Sequence, residues 1–547
     1  MKAIKYYTIC LISSLLSSCY EDKGNYDYND SIQDIKVELD ALYGIKKSDE
    51  IMKYTITPKI TTPDGDKSYL EYTWVSNTQS ATSTVNDTIG TEESVTLEID
   101  PNDKDFAYKH FIRLYVKDRR YNTETMVPTQ LEIIKPYSYA WVVLHEQNNH
   151  AEIGSVEYVG NEMFITTDAY TKEQGKSLSG KPVALYTRQS ATSDSRNWGY
   201  EAMSQLYITT SIPEESGLVN QVEGFKLMAD WNSLIFPSQQ NEINIQDIKG
   251  NGGNSGLLIC SNGKVFRSCY YSPFLFMMQP DVTFLDDYYI SHLVNGPHTG
   301  VGFDKQGHRF VHLALQSGGY WNGYNQTTIQ DAGPILNIEK VYGNAADPNE
   351  IDENIEIINM FNGYHYEVTG TAIWQKYSAY AYGLAPGNRS HVYVFRYYAL
   401  THAGVAALPY HFEFITPEGI NKDTPMTSGY EYNNIIFYAT GNKIYKLDCS
   451  TGKSTLVYQH EDSAAKISCL KMAVEGYTSF GGSDDEGTEN YGHPYTRCLG
   501  AGINTSDGNG EFVVLQLNTS GKVDENKKYP SIQIHKGFGK ITDINFI

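Results

Sequence analysis

Residues Ile435-Ile436-Phe437-Tyr438-Ala439-Thr440-Gly441-Asn442-Lys443-Ile444-Tyr445-Lys446-Leu447-Asp448 decide the reading of this chain. An apolar run meets Gly441-Asn442-Lys443 and a second apolar run leaves it. Gly and Asn tolerate the backbone a tight turn demands, so the stretch predicts two paired strands. It continues into Ser450-Thr451-Gly452-Lys453, a second turn signal. The same unit stands at Gly256-Leu257-Leu258-Ile259-Cys260-Ser261-Asn262-Gly263-Lys264-Val265-Phe266-Arg267. Weaker echoes are Trp141-Val142-Val143-Leu144 leading to Gly154–Tyr158, then Gly302–Phe310, Arg389–Tyr398 and Glu511–Leu517. A strand–turn–strand unit recurring through a long segment predicts the inner hairpins of a β-propeller. Residues 137–547 hold seven or so such units at about 59 residues each, longer than the usual ~40–50, so long inter-blade loops are required and six or eight blades remain open. The alternative is two or three further β-sandwiches; recurrence through the whole segment favours the propeller.

Composition fits this reading. Of 547 residues, 43 are basic and 65 acidic, and the net charge of −22 argues against nucleic acid as a partner, because phosphate binding requires Lys and Arg. No apolar run of about 18 residues follows the N-terminus, which argues against a polytopic membrane protein. Tyrosine stands out at 44 residues against 20 Phe and 6 Trp. It forms strands and makes amphipathic contacts, so β structure and an adhesive surface are both in play.

Residues 1–18 read as an export signal: Lys2 and Lys5 give a positive start, and Tyr6–Leu16 an apolar stretch too short to span a bilayer. Leu16-Ser17-Ser18-Cys19 matches the lipobox of bacterial lipoproteins, which makes Cys19 the lipidated residue and the membrane anchor. Residues 19–33 are polar and rich in Asp, Asn and Gly, as in a tether. Residues 34–135 then carry short strand-like pieces separated by turn signals such as Pro63-Asp64-Gly65, which suits a β-sandwich with Trp74 in its core. Pro136 marks the boundary to a propeller over 136–547.

The opening Cys19-Tyr20-Glu21-Asp22-Lys23-Gly24-Asn25-Tyr26-Asp27-Tyr28, with Tyr72-Thr73-Trp74 and Leu114-Tyr115-Val116-Lys117-Asp118 in the sandwich, resembles the PKD-like family lipoproteins of Bacteroidetes. That resemblance implies an accessory lipoprotein of the outer membrane, working beside a Sus-type importer made of a TonB-dependent transporter and its lipoprotein lid. The acidic Glu21-Asp22 after Cys19 resembles the signal for display on the cell exterior.

Motifs for catalysis or metal are poor. His145-Glu146-Gln147-Asn148-Asn149-His150 places its histidines five apart and follows a strand, whereas a zinc helix needs them four apart. His308 and His312, in a predicted strand, would be about 13 Å apart, too far to share an ion. Gly452-Lys453-Ser454 lacks the first glycine of a phosphate loop. The sequence predicts neither a bound metal nor a cofactor. The aromatic segments point to binding. Tyr320, Trp321 and Tyr324 stand among Gly and Asn, as do Tyr364 and Tyr366 after Phe361-Asn362-Gly363, and Tyr491 and Tyr495 around Gly492-His493-Pro494. Read as loops, these present aromatic anchors beside amides, suited to stacking on a sugar or capturing a peptide. The leading expectation is a surface lipoprotein that binds a nutrient oligopeptide or glycan for uptake. An extracellular propeller hydrolase or lyase acting on polysaccharide or protein is the second reading, and a structural or adhesive docking protein the third.

Overall fold

The computed structural model describes residues 35–138, 140–159, 162–188, 205–235, 245–249, 257–260, 262–268, 276–278, 287–295, 300–315, 332–338, 346–369, 372–398, 405–429, 432–473, 489–490, 493–494, 497–525 and 530–547. They fall into two compact units, one of residues 35–43 and 48–132, the other of 44–47 and 133–547.

The first unit is a β-sandwich. Its five-stranded sheet runs in the order Leu42–Lys46, Thr123–Ile134, Lys109–Asp118, Leu70–Asn77, Asp87–Gly90. Two two-stranded sheets, Met52–Ile56 with Val95–Ile99 and Lys36–Glu38 with Lys59–Thr61, complete it. Alternating residues of Val95–Ile99 are buried, the period-2 pattern of a strand with one face to the core. Trp74 is fully buried opposite Leu114, and its indole N–H donates to the Glu92 carbonyl at 3.0 Å, so the central aromatic leaves no polar group unpaired.

The second unit is a β-propeller with seven four-stranded antiparallel sheets among the described residues, numbered here as blades 1 to 7. Their innermost strands are, in order, Lys540–Phe546, Pro182–Arg188, Ile245–Lys249, Ile290–Asn295, Glu356–Thr369, Met426–Thr427 and Lys466–Met472. Each touches the next, and the last touches the first, so the ring closes. Closure joins distant parts of the chain: the C-terminal strand Lys540–Phe546 is the inner strand of blade 1, paired with Ala140–Gln147 and followed outward by His150–Val159 and Glu162–Thr166. A closed ring leaves no inner sheet edge open to another chain.

Seven apolar clusters occupy the seven seams between blades. Both faces of each sheet are therefore buried, which is why the strands read as near-continuous apolar runs. In Ile435–Thr440, Ile436 and Tyr438 pack toward blade 5, while Phe437 and Ala439 pack toward blade 7. The tyrosine excess fills these seams. Tyr207, Tyr380, Tyr382, Tyr393, Tyr432 and Tyr438 are buried. Several hydroxyls are paired, as in Tyr382 to Ser390 at 2.7 Å and Tyr432 to the Asn518 carbonyl at 3.2 Å. The Thr451 N–H donates to the Asp448 carbonyl at 3.3 Å, which makes the segment a β-turn, and Gly452, with φ +69°, donates to the same carbonyl at 2.8 Å.

Two buried histidines tie the ring to pH. His145 is fully buried at the closure seam: the Gly539 N–H donates to its Nδ1 at 3.0 Å, so the proton sits on Nε2 and is donated to the Thr167 carbonyl at 2.8 Å. His535, also buried in blade 7, stacks on Phe512, and its Nε2 has no hydrogen-bond partner among the described residues. Burial pushes each down from 6.5 to about 4. Both are neutral in the fold and protonate near pH 6.5 when unfolded, so stability is complete above pH 6.5 and is lost as pH falls from there toward 4. At pH 5 the loss should be about 2 kcal/mol per histidine. Thermal melts at pH 7.5 and pH 5 should show it, and His535→Phe should shrink the difference between them. Equal sensitivity in the two proteins would contradict the assignment.

Candidate ligand-binding face

Strand alternation sorts the turns of a four-stranded blade onto two faces. First-to-second and third-to-fourth turns open on one, called lower here; second-to-third turns and connections to the next blade open on the other. Two of the three aromatic-rich segments of the sequence are bracketed by strand ends of the lower face, and the third lies in a hairpin that closes toward the same face. Residues 316–331 join the third and fourth strands of blade 4, Arg309–Leu315 and Ala332–Asn337. Thr369 and Ala372 close the first hairpin of blade 5. Residues 473–497 join the first and second strands of blade 7, Lys466–Met472 and Cys498–Asn504. Tyr320, Trp321, Tyr324, Tyr491 and Tyr495 themselves lie outside the described residues, as does Cys19.

Tyr364 and Tyr366 require a correction. They are not in a loop but in the 14-residue strand Glu356–Thr369, opposite Tyr377 and Gln375 of Ala372–Ala385. Asn362-Gly363 imitates a turn signal. Its glycine serves packing instead: a Cβ on Gly363 would lie 2.0 Å from the Tyr380 ring. Phe361, beside it, is buried and stacks on Tyr380 at 6.0 Å between centroids. Strand pairing continues past it to Thr369 opposite Ala372, so Tyr364 and Tyr366 lie within the ladder of the hairpin.

Polar side chains of the inner strands bind the ring together around its closure. Lys471 of blade 7 pairs with Asp543 of blade 1 at 3.1 Å, and Asp543 also accepts the Leu185 N–H of blade 2 at 2.9 Å. Asn545 donates to the Leu185 carbonyl at 2.8 Å. Asn362 of blade 5 likewise donates to the Asn295 carbonyl of blade 4 at 3.0 Å. Asp543 is thus engaged on two sides as a positioning group. No sequence signal could have found this set, because its partners lie up to 360 residues apart and meet only when the ring closes.

The histidine motifs resolve into local roles. His145 is the buried residue described above, and His150, which opens the partner strand of the same hairpin, approaches the Ser179 carbonyl at 3.1 Å. His308 is not in a strand as expected; it holds a left-handed φ of 45° in the turn before Arg309–Leu315, which contains His312. No group of three or more His, Cys, Asp or Glu able to hold a metal occurs among the described residues. Cys449, Cys469 and Cys498 are buried and form no disulfide among the described residues, and burial pushes Cys469 up to about 12, which makes it unreactive.

Residues 19–182 match the PKD-like family, a span that covers the sandwich and three strands of blade 1. A search of curated proteins finds no match. Among solved structures, a quinonprotein alcohol dehydrogenase-like protein from Bacteroides thetaiotaomicron VPI-5482 is 12% identical, with 92% of this chain and 95% of that chain covered and a TM-score of 0.36. An auxiliary nutrient binding protein from the same organism is 9% identical over 85% and 93% of the two chains, with a TM-score of 0.27. AztD from Citrobacter koseri is 10% identical over 71% and 94%, with a TM-score of 0.24. Seven four-stranded sheets in a closed ring make the second unit a propeller, and the sandwich precedes it in the chain.

Proposed function

We propose that this protein is a lipid-anchored lipoprotein of the outer membrane, facing the cell exterior, that binds a nutrient oligopeptide or glycan. In this reading it is an accessory component of a Sus-type uptake system, beside a TonB-dependent transporter and its lipoprotein lid. The observation that supports binding is topological. Two aromatic-rich segments far apart in the chain, 316–331 and 473–497, are bracketed by strand ends on one face of one ring. Gathering loops on one face is how a propeller builds a site from separate blades. The lipobox at Cys19 and the acidic residues after it support the anchor and its exposure. Asp543, held by Lys471 and by the Leu185 N–H, is a tied group rather than a free general acid, so it lends the hydrolase reading no support.

The test is affinity isolation from native outer membrane, with a tag inserted at the exposed turn Asp507-Gly508. A C-terminal tag is unsuitable, because Ile547 is buried and exchanges backbone hydrogen bonds with Ala140. A TonB-dependent channel and its lid should co-purify, with peptide or sugar in the eluate, and Cys19→Ala should shift the protein out of the membrane fraction. Recovery of the protein alone, or unchanged membrane association of Cys19→Ala, would overturn the proposal.

A further inference from the structure

A groove of about 600 Å³ opens in the seam between blades 5 and 6. The apolar cluster of that seam, which includes Phe361, Tyr382, Phe414 and Ile436, reaches Tyr438. Beyond Tyr438 the lining turns polar, with Glu418 from the connection between the blades and Thr440, Lys443, Tyr445 and Ser454 from blade 6. Three glycines, Gly419, Gly441 and Gly452, line it without side chains, and Gly441 has open space where a Cβ would stand.

The aromatic platform is set in advance. Tyr445 stacks on Tyr438 with centroids 5.3 Å apart and planes 17° apart. The Tyr438 hydroxyl bonds to the Ser454 hydroxyl at 2.9 Å, fixing the ring behind. Tyr445 itself is only half-buried. The Lys443 ammonium and the Glu418 carboxylate line the same groove, and neither has a hydrogen-bond or ion-pair partner among the described residues.

Each feature narrows the ligand. A volume of this size lies in the range of small-molecule sites, about 300–1,000 Å³. One positive and one negative group together give no net preference for an ion. An apolar ligand would satisfy neither charge and would desolvate the half-buried Lys443, which is costly. A peptide added as a strand would need free backbone partners. The groove, however, lies on a sheet face whose backbone is already paired, Tyr438 with Tyr445, Thr440 with Lys443, and Lys443 with Gln459. A pyranose meets all the conditions: its C–H face stacks on an aromatic ring, and its hydroxyls donate to a carboxylate and accept from an ammonium. We propose that the Tyr445 groove between blades 5 and 6 binds a neutral saccharide ring.

This site shares no residue with the aromatic segments of blades 4, 5 and 7, so its failure would leave the reading above standing, and the reverse holds as well. The experiment is saturation-transfer NMR and calorimetry on the whole mature chain, with maltohexaose, cellohexaose, mannohexaose and N-acetylchitohexaose as probes. At least one should bind. Tyr445→Ala should weaken it about tenfold or more, and Lys443→Met and Glu418→Gln should each weaken it several-fold. Lys443 is on the rim, so Lys443→Met keeps the test valid even if Tyr445→Ala melts early. Absence of binding by all four probes, or affinity unchanged by both Tyr445→Ala and Lys443→Met, would overturn the assignment. So would binding of short peptides, but not of sugars, that depends on Tyr445.

Discussion

Removing residues 540–547 should abolish cooperative folding of the propeller. That segment supplies the inner strand of blade 1 and buries Ile541, Ile544, Phe546 and Ile547. At about 1.5–3 kcal/mol for each large apolar side chain, these four contribute about 6–12 kcal/mol. A whole domain is typically stable by only about 5–15 kcal/mol. The deletion also removes Asp543, leaving Lys471 and the Leu185 N–H without their shared acceptor, and it strips the pairing of Trp141–Glu146 with the C-terminal strand. Ring closure makes the loss cooperative, since blades 7 and 2 both pack against that strand. The check is thermal unfolding followed by circular dichroism, together with limited proteolysis of the shortened chain. The propeller should be digested under conditions that leave the full chain intact. A shortened chain with an unchanged unfolding transition would show that closure contributes little.

Trp141→Ala should destabilise the propeller by about 3–5 kcal/mol, among the largest single-residue effects in the molecule. Trp141 is fully buried in the seam between blades 7 and 1. Its ring lies 5.4 Å from Phe512 of blade 7 and 5.4 Å from Phe546 of the closing strand, both in tilted or edge-on contact. Gly500 makes room for it: a Cβ there would come within 2.7 Å of the indole. Truncation to alanine would leave a cavity that neighbours on three strands cannot all relax into. Trp141→Phe should cost far less, because it keeps an aromatic ring and removes an indole N–H that has no partner in the seam. Denaturant midpoints of the three proteins would rank wild type, Trp141→Phe and Trp141→Ala in that order. A Phe variant as unstable as the Ala variant would mean the indole N–H is paired after all.

The unit in Ile435–Asp448 was legible because a hairpin is specified by residues within about ten positions of one another. Its register, Ile435 opposite Asp448 and Thr440 opposite Lys443, follows from the turn at Gly441-Asn442. Trp74 was legible as a core residue for the same local reason, since alternation along one strand names the buried face. Asn362-Gly363 shows the limit of local signals. The same dipeptide class that turns the chain elsewhere here sits inside a strand, because Tyr380 on the partner strand needs the space a side chain would take.

Local pattern alone therefore determined the all-β character, the order of sandwich before propeller and the recurring hairpin, since each depends on period-2 alternation and turn chemistry between near neighbours. Tertiary structure alone decided the closing strand, the pairing of Lys471 with Asp543, the single face on which distant aromatic segments are bracketed, and the groove beside Tyr445. These depend on contacts such as His145 with Gly539, 394 residues apart, which form only when the last strand enters the first blade. No spacing along the chain encodes a contact whose geometry is set by the closure of a ring.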